Sequence, residues 1–152
     1  MEVGVVLTRP PVVSRARSGG SQSGSGSRCA LVAGADAQIR QLLRTVLEIG
    51  EFEVLEAASQ GEVLSRLSMP GRTPDVVLLD VALPHFSGLA TLSFMRREPQ
   101  LASIPVVVLT SFSDPPEHAR FRQSGATAVM TKPFSSQRLL DIVRQVVTTG
   151  AI

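Results

Sequence analysis

The sequence predicts an α/β domain with a doubly wound parallel sheet, and the pattern of its apolar runs is the main reason. From Cys29 onward, short apolar runs alternate with helix-like segments to make five β-α units. Two of the runs, "VVLLD" and "VVVLT", are almost continuously apolar, which is typical of strands covered by helices on both faces of a sheet. Right-handed crossovers between such units produce a doubly wound sheet.

The strands and the first helix can be placed from apolar patterns and cap residues. The expected strands are Ala30–Ala33, Phe52–Ala57, Asp75–Leu79, Val106–Thr110 and Ala128–Thr131. The first helix begins near Asp36, its expected N-cap, and ends at Gly50. The apolar face of this helix is formed by Ile39, Leu42, Leu43, Val46 and Leu47.

The remaining helices also have recognisable ends. The second opens with "SQGE", in which Ser59 and Glu62 have the spacing of a capping box. The third follows Gly88, and the fourth opens with the prolines of "SDPPE", which lack only donors that a first turn leaves unpaired. The fifth follows Pro133 and has an apolar face formed by Leu139, Ile142, Val143, Val146 and Val147.

Residues 1–28 differ in composition from the rest and are expected to form a disordered tail ahead of one domain over residues 29–150. The segment ends in "SGGSQSGSGSR" and carries a net charge of +3, from four arginines and one glutamate. The remainder holds 11 of the 15 basic and 12 of the 13 acidic residues, a net charge of −1. A nearly neutral domain does not favour nucleic acid as a partner.

The chain is expected to be cytoplasmic and to contain no membrane segment. Cys29 is the only cysteine, so no internal disulfide can form and a reducing compartment fits. No apolar run approaches the roughly 20 residues that a membrane-spanning helix needs.

Polar side chains follow three of the predicted strands, at the edge where ligands bind in open α/β sheets. Asp80 ends the third strand, Thr110 ends the fourth, and Lys132 follows the fifth. Such a set can accept a phosphoryl group, with Asp80 as the nucleophile. Lys132 would act as a point charge on a phosphoryl oxygen, and Thr110 would donate a hydrogen bond to another.

The segments "PDVVLLDVALPHFSGL", "IPVVVLTSFSD" and "GATAVMTKPF" resemble the response-regulator receiver domains of two-component signalling, from about Cys29 to Val147. The resemblance implies a flavodoxin-like (βα)5 fold with strand order 2-1-3-4-5. It also implies that Asp80 is the phosphoacceptor and Thr110 the switch hydroxyl. Lys132 becomes the lysine that contacts the phosphate, followed by a cis peptide bond to proline.

Two departures from the receiver pattern concern the metal and the switch. Receivers hold Mg²⁺ with the acceptor carboxylate, a backbone carbonyl, here that of Ala82, and an acidic pair after the first strand. Gly34 and Ala35 occupy the positions of that pair, so the Mg²⁺ site is expected to be weak or absent. Asp36, one place further on, is either a metal ligand or only a helix N-cap. Val129 occupies a position where receivers often have a Tyr or Phe, whose burial follows the state of the switch hydroxyl. A valine side chain cannot move between an exposed and a buried position in the same way.

The sequence leaves two functions open. In the first, a single-domain receiver accepts a phosphoryl group on Asp80 from a histidine kinase or phosphotransfer protein. It then signals to a downstream protein through the fourth helix, fifth strand and fifth helix. In the second, a pseudo-receiver works as an interaction module without phosphorylation or Mg²⁺, which explains Gly34, Ala35 and Val129 together. An enzyme is not expected, because no second catalytic group faces Asp80, and no output domain that could bind DNA is expected after Val147.

Overall fold

A computed structural model describes residues 4–5, 28–34, 36–69, 73–81, 88–111 and 115–150. The five expected β-α units are all present in these residues. The strands are β1 (Arg28–Ala33), β2 (Phe52–Ala57), β3 (Asp75–Asp80), β4 (Val106–Thr110) and β5 (Ala128–Thr131). The helices are α1 (Ala37–Ile49), α2 (Gln60–Leu67), α3 (Gly88–Arg97), α4 (Pro115–Gln123) and α5 (Ser136–Thr149).

The five strands pair in parallel in the order β2-β1-β3-β4-β5, which confirms the predicted topology. Leu31 in β1 is opposite Leu55 on one side and Val77 on the other. Along the chain, β2 is added on one side of β1, whereas β3, β4 and β5 are added on the other side. The strand order therefore reverses between β1 and β3. The crevice at the carboxyl ends of these two strands is where such sheets bind ligands.

Two strands are longer than the sequence pattern predicts. The strand β1 begins at Arg28, two residues before the predicted start, because Arg28 and Cys29 pair with the beginning of β2. The Cys29 N–H also donates to Asp75 Oδ2 at 2.7 Å, which joins the beginning of β1 to that of β3. At its other end, β3 extends by one residue to include Asp80.

The central strands β1, β3 and β4 are buried on both faces, as their continuous apolar runs predict. Full burial of one Val or Leu side chain contributes about 1.5–3 kcal/mol, so these strands and the helices that cover them hold most of the hydrophobic stabilisation. The longest described helix, α5, has 14 residues. None of the described helices has the length and apolar character needed to cross a bilayer.

The buried face of α1 is narrower than the sequence predicts. Leu43, Val46 and Leu47 are buried against the sheet, whereas Leu42 is 49% exposed. Successive residues in an α-helix are rotated by about 100°, so Leu42 lies at the edge of the stripe centred on these residues. The predicted apolar face is therefore present, but only part of it is buried, and Leu42 lies at its exposed edge.

The predicted capping box at the start of α2 is confirmed. Ser59 Oγ accepts a hydrogen bond from the Glu62 N–H at 3.2 Å. The Glu62 carboxylate reaches back to accept from the Ala58 N–H at 2.7 Å. The return bond is one residue earlier than in the usual capping box, but it serves the same purpose of satisfying a donor ahead of the helix.

A two-residue strand, Gly4–Val5, pairs in parallel with Asp75 at the beginning of β3. Apart from this strand and Arg28, the segment for which a disordered tail is predicted lies outside the described residues. The tail over residues 1–28 and the domain over residues 29–150 therefore stay predictions.

A charged network joins α1 to β2. Glu56 accepts from Arg40 Nε at 3.1 Å and from Arg44 Nε at 2.6 Å, and Arg44 also pairs with Glu48 at 3.1 Å. Burial of the Glu56 carboxylate disfavours its charged form. The hydrogen bonds from Arg44 and Arg40 outweigh that effect and hold the pKa of Glu56 below its ordinary value of 4.5.

Replacing Glu56 with glutamine is expected to lower the free energy of unfolding by about 0.5–1 kcal/mol near neutral pH, since the network is partly exposed and screened by solvent. Because the pKa is lower in the folded state, this contribution is present above the unfolded pKa and is lost as the pH falls through the folded pKa. Urea unfolding in steps from about pH 7 towards about pH 3 should show the two proteins converging. Glu51→Gln is the control, because the exposed Glu51 forms no ion pair with a described residue. A Glu56→Gln effect that persists unchanged in acid would contradict this account.

Candidate functional site

The carboxyl ends of β3, β4 and β5 bring three polar residues to one edge of the sheet. Asp80 and Thr110 are the last residues of β3 and β4, and they are 1% and 0% exposed. Lys132 directly follows β5, and its N–H donates to the Thr110 carbonyl at 2.8 Å. The three residues selected from the sequence therefore share one edge.

Lys132 and Asp80 form a partly buried ion pair at this edge. Lys132 Nζ donates to Asp80 Oδ1 at 2.7 Å, and their side chains are 19% and 2% exposed. Lys132 is the only lysine in the chain, since every other member of the 15 lysines and arginines is an arginine. An ammonium is a compact charge on a flexible stem, so it can move between acceptor oxygens without the planar constraint of a guanidinium. The Lys132-Pro133 bond is cis, as the resemblance implies.

Gly34 allows the end of β1 to approach Asp80 closely. Its N–H donates to the Ala57 carbonyl at 3.0 Å, and its carbonyl accepts from Arg40 Nη1 at 2.7 Å. A Cβ at this position would lie 2.9 Å from Asp80 Cβ, which is closer than carbon atoms of side chains approach. The glycine therefore has a packing role that the sequence did not reveal, in addition to the absence of a carboxylate.

The described residues do not supply a donor set that fits Mg²⁺. This ion prefers octahedral oxygen ligands, but Asp80 Oδ1 is held by an ammonium and Gly34 has no side chain. Asp36 is exposed, and its Oδ1 accepts from the Gln38 N–H at 2.8 Å, so it is the N-cap of α1. No group of three or more His, Cys, Asp or Glu residues that could hold a metal ion occurs in the described part of the chain. Ala35 and Ala82 lie outside the described residues, so their predicted positions in a metal site stay predictions, as does ligation by Asp36.

We expect Gly34→Ala to destabilise the fold by about 1–3 kcal/mol, because the new Cβ must displace Asp80 or the end of β1. The matched control is Gly61→Ala in α2, where a Cβ would meet nothing closer than Ser59 Oγ at 3.9 Å. That change should stabilise by about 0.5 kcal/mol through helix propensity. Urea unfolding of both variants measures the difference. Equal effects of the two substitutions would mean that the close approach at Gly34 does not exist in solution.

A groove of about 410 Å³ lies between α4 and α5, with β5 as its floor. Its lining includes Val129 and Thr131 of β5, His118 of α4, and Phe134, Arg138 and Ile142. His118 Nε2 and Thr131 Oγ1 share a hydrogen bond of 3.1 Å. Val129 is half-buried.

Several of these features were not predicted from the sequence. The pairing of the His118 ring with Thr131 has no sequence signal, because the two residues are on different elements. Arg138 was not singled out, although an arginine three residues after the Ser135 cap is visible in the sequence. The role of Arg40 at the Gly34 carbonyl depends on the path of α1 and has no sequence signal either.

The comparison with known protein families agrees with this geometry. The sequence model of the family described as the response regulator receiver domain matches residues 30–144 of the chain. The chain belongs to the response regulator receiver domain family. It is therefore a receiver module of two-component signalling, a class that interacts with histidine kinases or phosphotransfer proteins and with downstream partners.

Curated relatives include transcriptional regulators and a smaller response regulator. The chain is 34% identical over 120 residues to the phosphate regulon transcriptional regulatory protein PhoB of Escherichia coli, covering 79% of this chain and 52% of PhoB. It thus spans about half the length of the PhoB relatives that it matches. It is 31% identical over 104 residues to the polar-differentiation response regulator DivK of Brucella anthropi, covering 68% of this chain and 83% of DivK.

Solved receiver structures share the fold. The chemotaxis response regulator CheY4 of Vibrio cholerae superposes with a TM-score of 0.73 and 27% identity, covering 80% of this chain and 99% of CheY4. The receiver domain of the Francisella response regulator 1452 superposes with a TM-score of 0.71 and 26% identity, covering 79% of this chain and 96% of that one. These similarities establish the receiver fold, whereas the chemistry at Asp80 has to be argued from the site itself.

Proposed function

We propose that this receiver accepts a phosphoryl group on Asp80 and passes the signal on through the surface formed by α4, β5 and α5. The observation that carries the proposal is the ion pair of 2.7 Å between Lys132 Nζ and Asp80 Oδ1, at the edge where Thr110 ends the neighbouring strand. A carboxylate, an ammonium and a hydroxyl placed together are the groups that phosphoryl transfer to an aspartate needs. The proposal describes a signalling module rather than an enzyme, and the lone cysteine favours the reducing conditions of the cytoplasm.

In the proposed reaction, an Asp80 carboxylate oxygen attacks the phosphorus of a phosphohistidine on a histidine kinase or phosphotransfer protein. The new O–P bond forms as the P–N bond breaks, and the electron pair of that bond stays on the imidazole nitrogen. Lys132 Nζ is positioned to exchange its bond to Asp80 for one to a phosphoryl oxygen, because both acceptors are then within reach of the same flexible stem. The Thr110 hydroxyl would donate to a second phosphoryl oxygen, which draws the ends of β4 and β5 towards Asp80.

A second function, an interaction module that does not use phosphorylation, is favoured by two observations. Gly34 packs against Asp80 where receivers usually place a carboxylate, and the described residues provide no fitting set of Mg²⁺ ligands. The Asp80 side chain is also only 2% exposed, so a donor can reach it only if the edge of the sheet opens. In this alternative, the pair of Asp80 and Lys132 stabilises the fold and leaves the surface in one state.

Phosphorylation can be tested with a matched pair of aspartate variants. The wild type is incubated with acetyl phosphate, or with a phosphorylated phosphotransfer protein, in Mg²⁺ and separately in EDTA. Intact-mass spectrometry should detect one added phosphoryl group on the wild type and on Asp141→Asn, whose aspartate is exposed on α5, but none on Asp80→Asn. If the site binds Mg²⁺ poorly, the fraction of phosphorylated protein should be the same in EDTA as in Mg²⁺.

The single lysine provides a second readout. Selective ¹³C labelling of lysine gives one side-chain NMR signal, which should shift when Lys132 leaves Asp80 for the phosphoryl group. Mass labelling without a shift would mean that Lys132 is not the phosphate contact. Complete absence of label with every donor would favour the interaction module.

A further inference from the structure

The strand β2 lies at one end of the sheet that the described residues form, so one of its sides has no neighbouring strand there. The Gly34 N–H donates to the Ala57 carbonyl at 3.0 Å, which means that the backbone groups of Ala57 point towards β1. Because the backbone groups of successive residues in a strand point to opposite sides, those of Phe52, Val54 and Glu56 point away from β1. Such a row of backbone groups can pair with a strand of another chain unless it is covered.

Two arginines cover this free edge of β2. Arg44 Nη2 donates to the Val54 carbonyl, and Arg66 Nε donates to the Glu56 carbonyl, both at 3.3 Å. Arg44 is on α1, which connects β1 to β2, and Arg66 is on α2, which crosses back from β2 to β3. Since both crossovers are right-handed, the two helices lie on opposite faces of the sheet. The two guanidinium groups therefore reach the free edge from both faces.

The charged network around Glu56 holds Arg44 in this position. Arg44 Nε donates to Glu56 Oε2 at 2.6 Å and Nη1 donates to Glu48 Oε2 at 3.1 Å, so all three nitrogens of the guanidinium have an acceptor. Ion pairs that are partly exposed, as these are, add little stability. Their geometric consequence is larger, because they keep a charged side chain on a backbone carbonyl that an added strand would need.

The sequence of β2 is compatible with pairing to a second copy of itself. In an antiparallel pair centred on Val54, each Val54 is opposite its counterpart, Phe52 is opposite Glu56, and Glu53 is opposite Leu55. No two glutamates are directly opposite each other, so repulsion between like charges does not prevent this pairing. The residues whose backbone groups would bond across the pair are also the three that point away from β1.

We infer that Arg44 and Arg66 keep this receiver from pairing through β2 with a second copy of the chain. An approaching strand has to displace both guanidinium groups from the carbonyls of Val54 and Glu56. Since the pairing is symmetric, four guanidinium groups would have to leave one short edge. The inference goes beyond the proposed function, because it concerns the opposite end of the sheet from β5 and does not depend on phosphorylation.

The test compares two double variants of the full chain that change the net charge equally. Arg44→Gln combined with Arg66→Gln, the edge variant, removes both arginines from the β2 carbonyls. Arg40→Gln combined with Arg97→Gln is the control. Arg40 also donates to Glu56, at 3.1 Å, but its backbone acceptor among the described residues lies just after β1, and Arg97 is exposed on α3.

Sedimentation velocity over a range of protein concentrations measures the association. The edge variant should form a dimer with a dissociation constant at least about tenfold lower than that of the wild type or the control. Equal association of the two double variants would overturn the inference. Because each chain has one β2 edge, self-pairing uses both edges and ends at a dimer. Larger assemblies would therefore also contradict the inference.

Amide hydrogen exchange locates the interface. In the edge variant, the amides of Val54 and Glu56 should exchange more slowly as the protein concentration rises, because they bond across the new pair. In the wild type, their exchange should not depend on concentration. Protection that appears in β5 instead would assign the association to another surface and refute the role of the β2 edge.

A single variant keeps the inference testable if the edge variant does not fold. Arg66→Gln removes one arginine from the edge and leaves the ion pairs of Arg44 with Glu48 and Glu56 in place. It should lower the dissociation constant of the dimer by at least about threefold relative to Arg97→Gln. An Arg66→Gln variant that associates no more than Arg97→Gln would refute the protective role of Arg66.

Discussion

Replacing Arg96 with methionine is expected to lower the free energy of unfolding by about 3 kcal/mol, one of the two largest effects that the structure predicts. The Arg96 side chain is half-buried at the end of α3, and burial lowers the pKa of its guanidinium below the ordinary value. It is surrounded by carbonyl groups. Nε and Nη2 donate to the Gly125 carbonyl at 3.0 and 2.7 Å, and Nη1 donates to the carbonyls of Ala102 and Ile104 at 3.0 and 2.9 Å.

The size of this effect follows from what methionine keeps and what it loses. Its side chain preserves most of the apolar stem, so the packing of the stem changes little. The partly buried carbonyls of Gly125 and Ile104 lose a charged donor, and each buried acceptor left unsatisfied costs about 1–3 kcal/mol, whereas the exposed Ala102 carbonyl can bond to water. Because these carbonyls belong to two different loops, one before β4 and one before β5, their loss also releases the connections that position both strands.

Lysine is not expected to rescue the site. A guanidinium presents five donors in a planar fork, whereas an ammonium is a single point that cannot reach carbonyls on two loops at once. Urea unfolding of Arg96→Met, Arg96→Lys and Arg97→Met provides the comparison, since Arg97 is the exposed neighbour on the same helix. Arg97→Met should change stability by less than about 0.5 kcal/mol. An Arg96→Lys variant as stable as the wild type would show that charge alone, without the fork, is sufficient.

The fold could be predicted to a large extent because its signals are local. Strands buried on both faces have to be apolar throughout, and β4 has the predicted bounds for that reason. The strands β2 and β5, in which buried residues are interspersed with more exposed ones, also have the predicted bounds. Helix caps are also local, as the contact between Ser59 and Glu62 shows. The hydrogen bonds from Arg96 to the two loops have no such signal, because their acceptors are backbone carbonyls, which any residue provides.

The candidate site also has features that the sequence could predict and features that it could not. Asp80, Thr110 and Lys132 could be found because parallel strands deliver their carboxyl ends to one edge, and a residue that ends a strand is visible in the sequence. The separation of 2.9 Å between a Cβ on Gly34 and Asp80 could not be found, since it depends on the relative position of β1 and β3.

Lys132→Met is the second change with a large expected effect, a loss of about 3 kcal/mol in the free energy of unfolding. The substitution leaves the Asp80 carboxylate in a position that is 2% exposed and without the ammonium that binds it at 2.7 Å. Asp80→Asn should cost less, about 1 kcal/mol, because the Lys132 side chain is 19% exposed and its flexible stem can turn the ammonium towards water.

Combining the two substitutions distinguishes a buried charge from lost packing. The double variant Asp80→Asn, Lys132→Met has no charge left to bury, so it should be at least 1 kcal/mol more stable than Lys132→Met alone. Urea unfolding of the wild type, both single variants and the double variant gives the coupling energy of the pair. Arg144→Met, on the exposed side of α5, is the control for removing a cation and should have little effect. If the effects of the two single substitutions simply add, the two side chains do not interact in solution. Asp80 would then lack the neighbouring ammonium on which phosphoryl transfer to this residue depends.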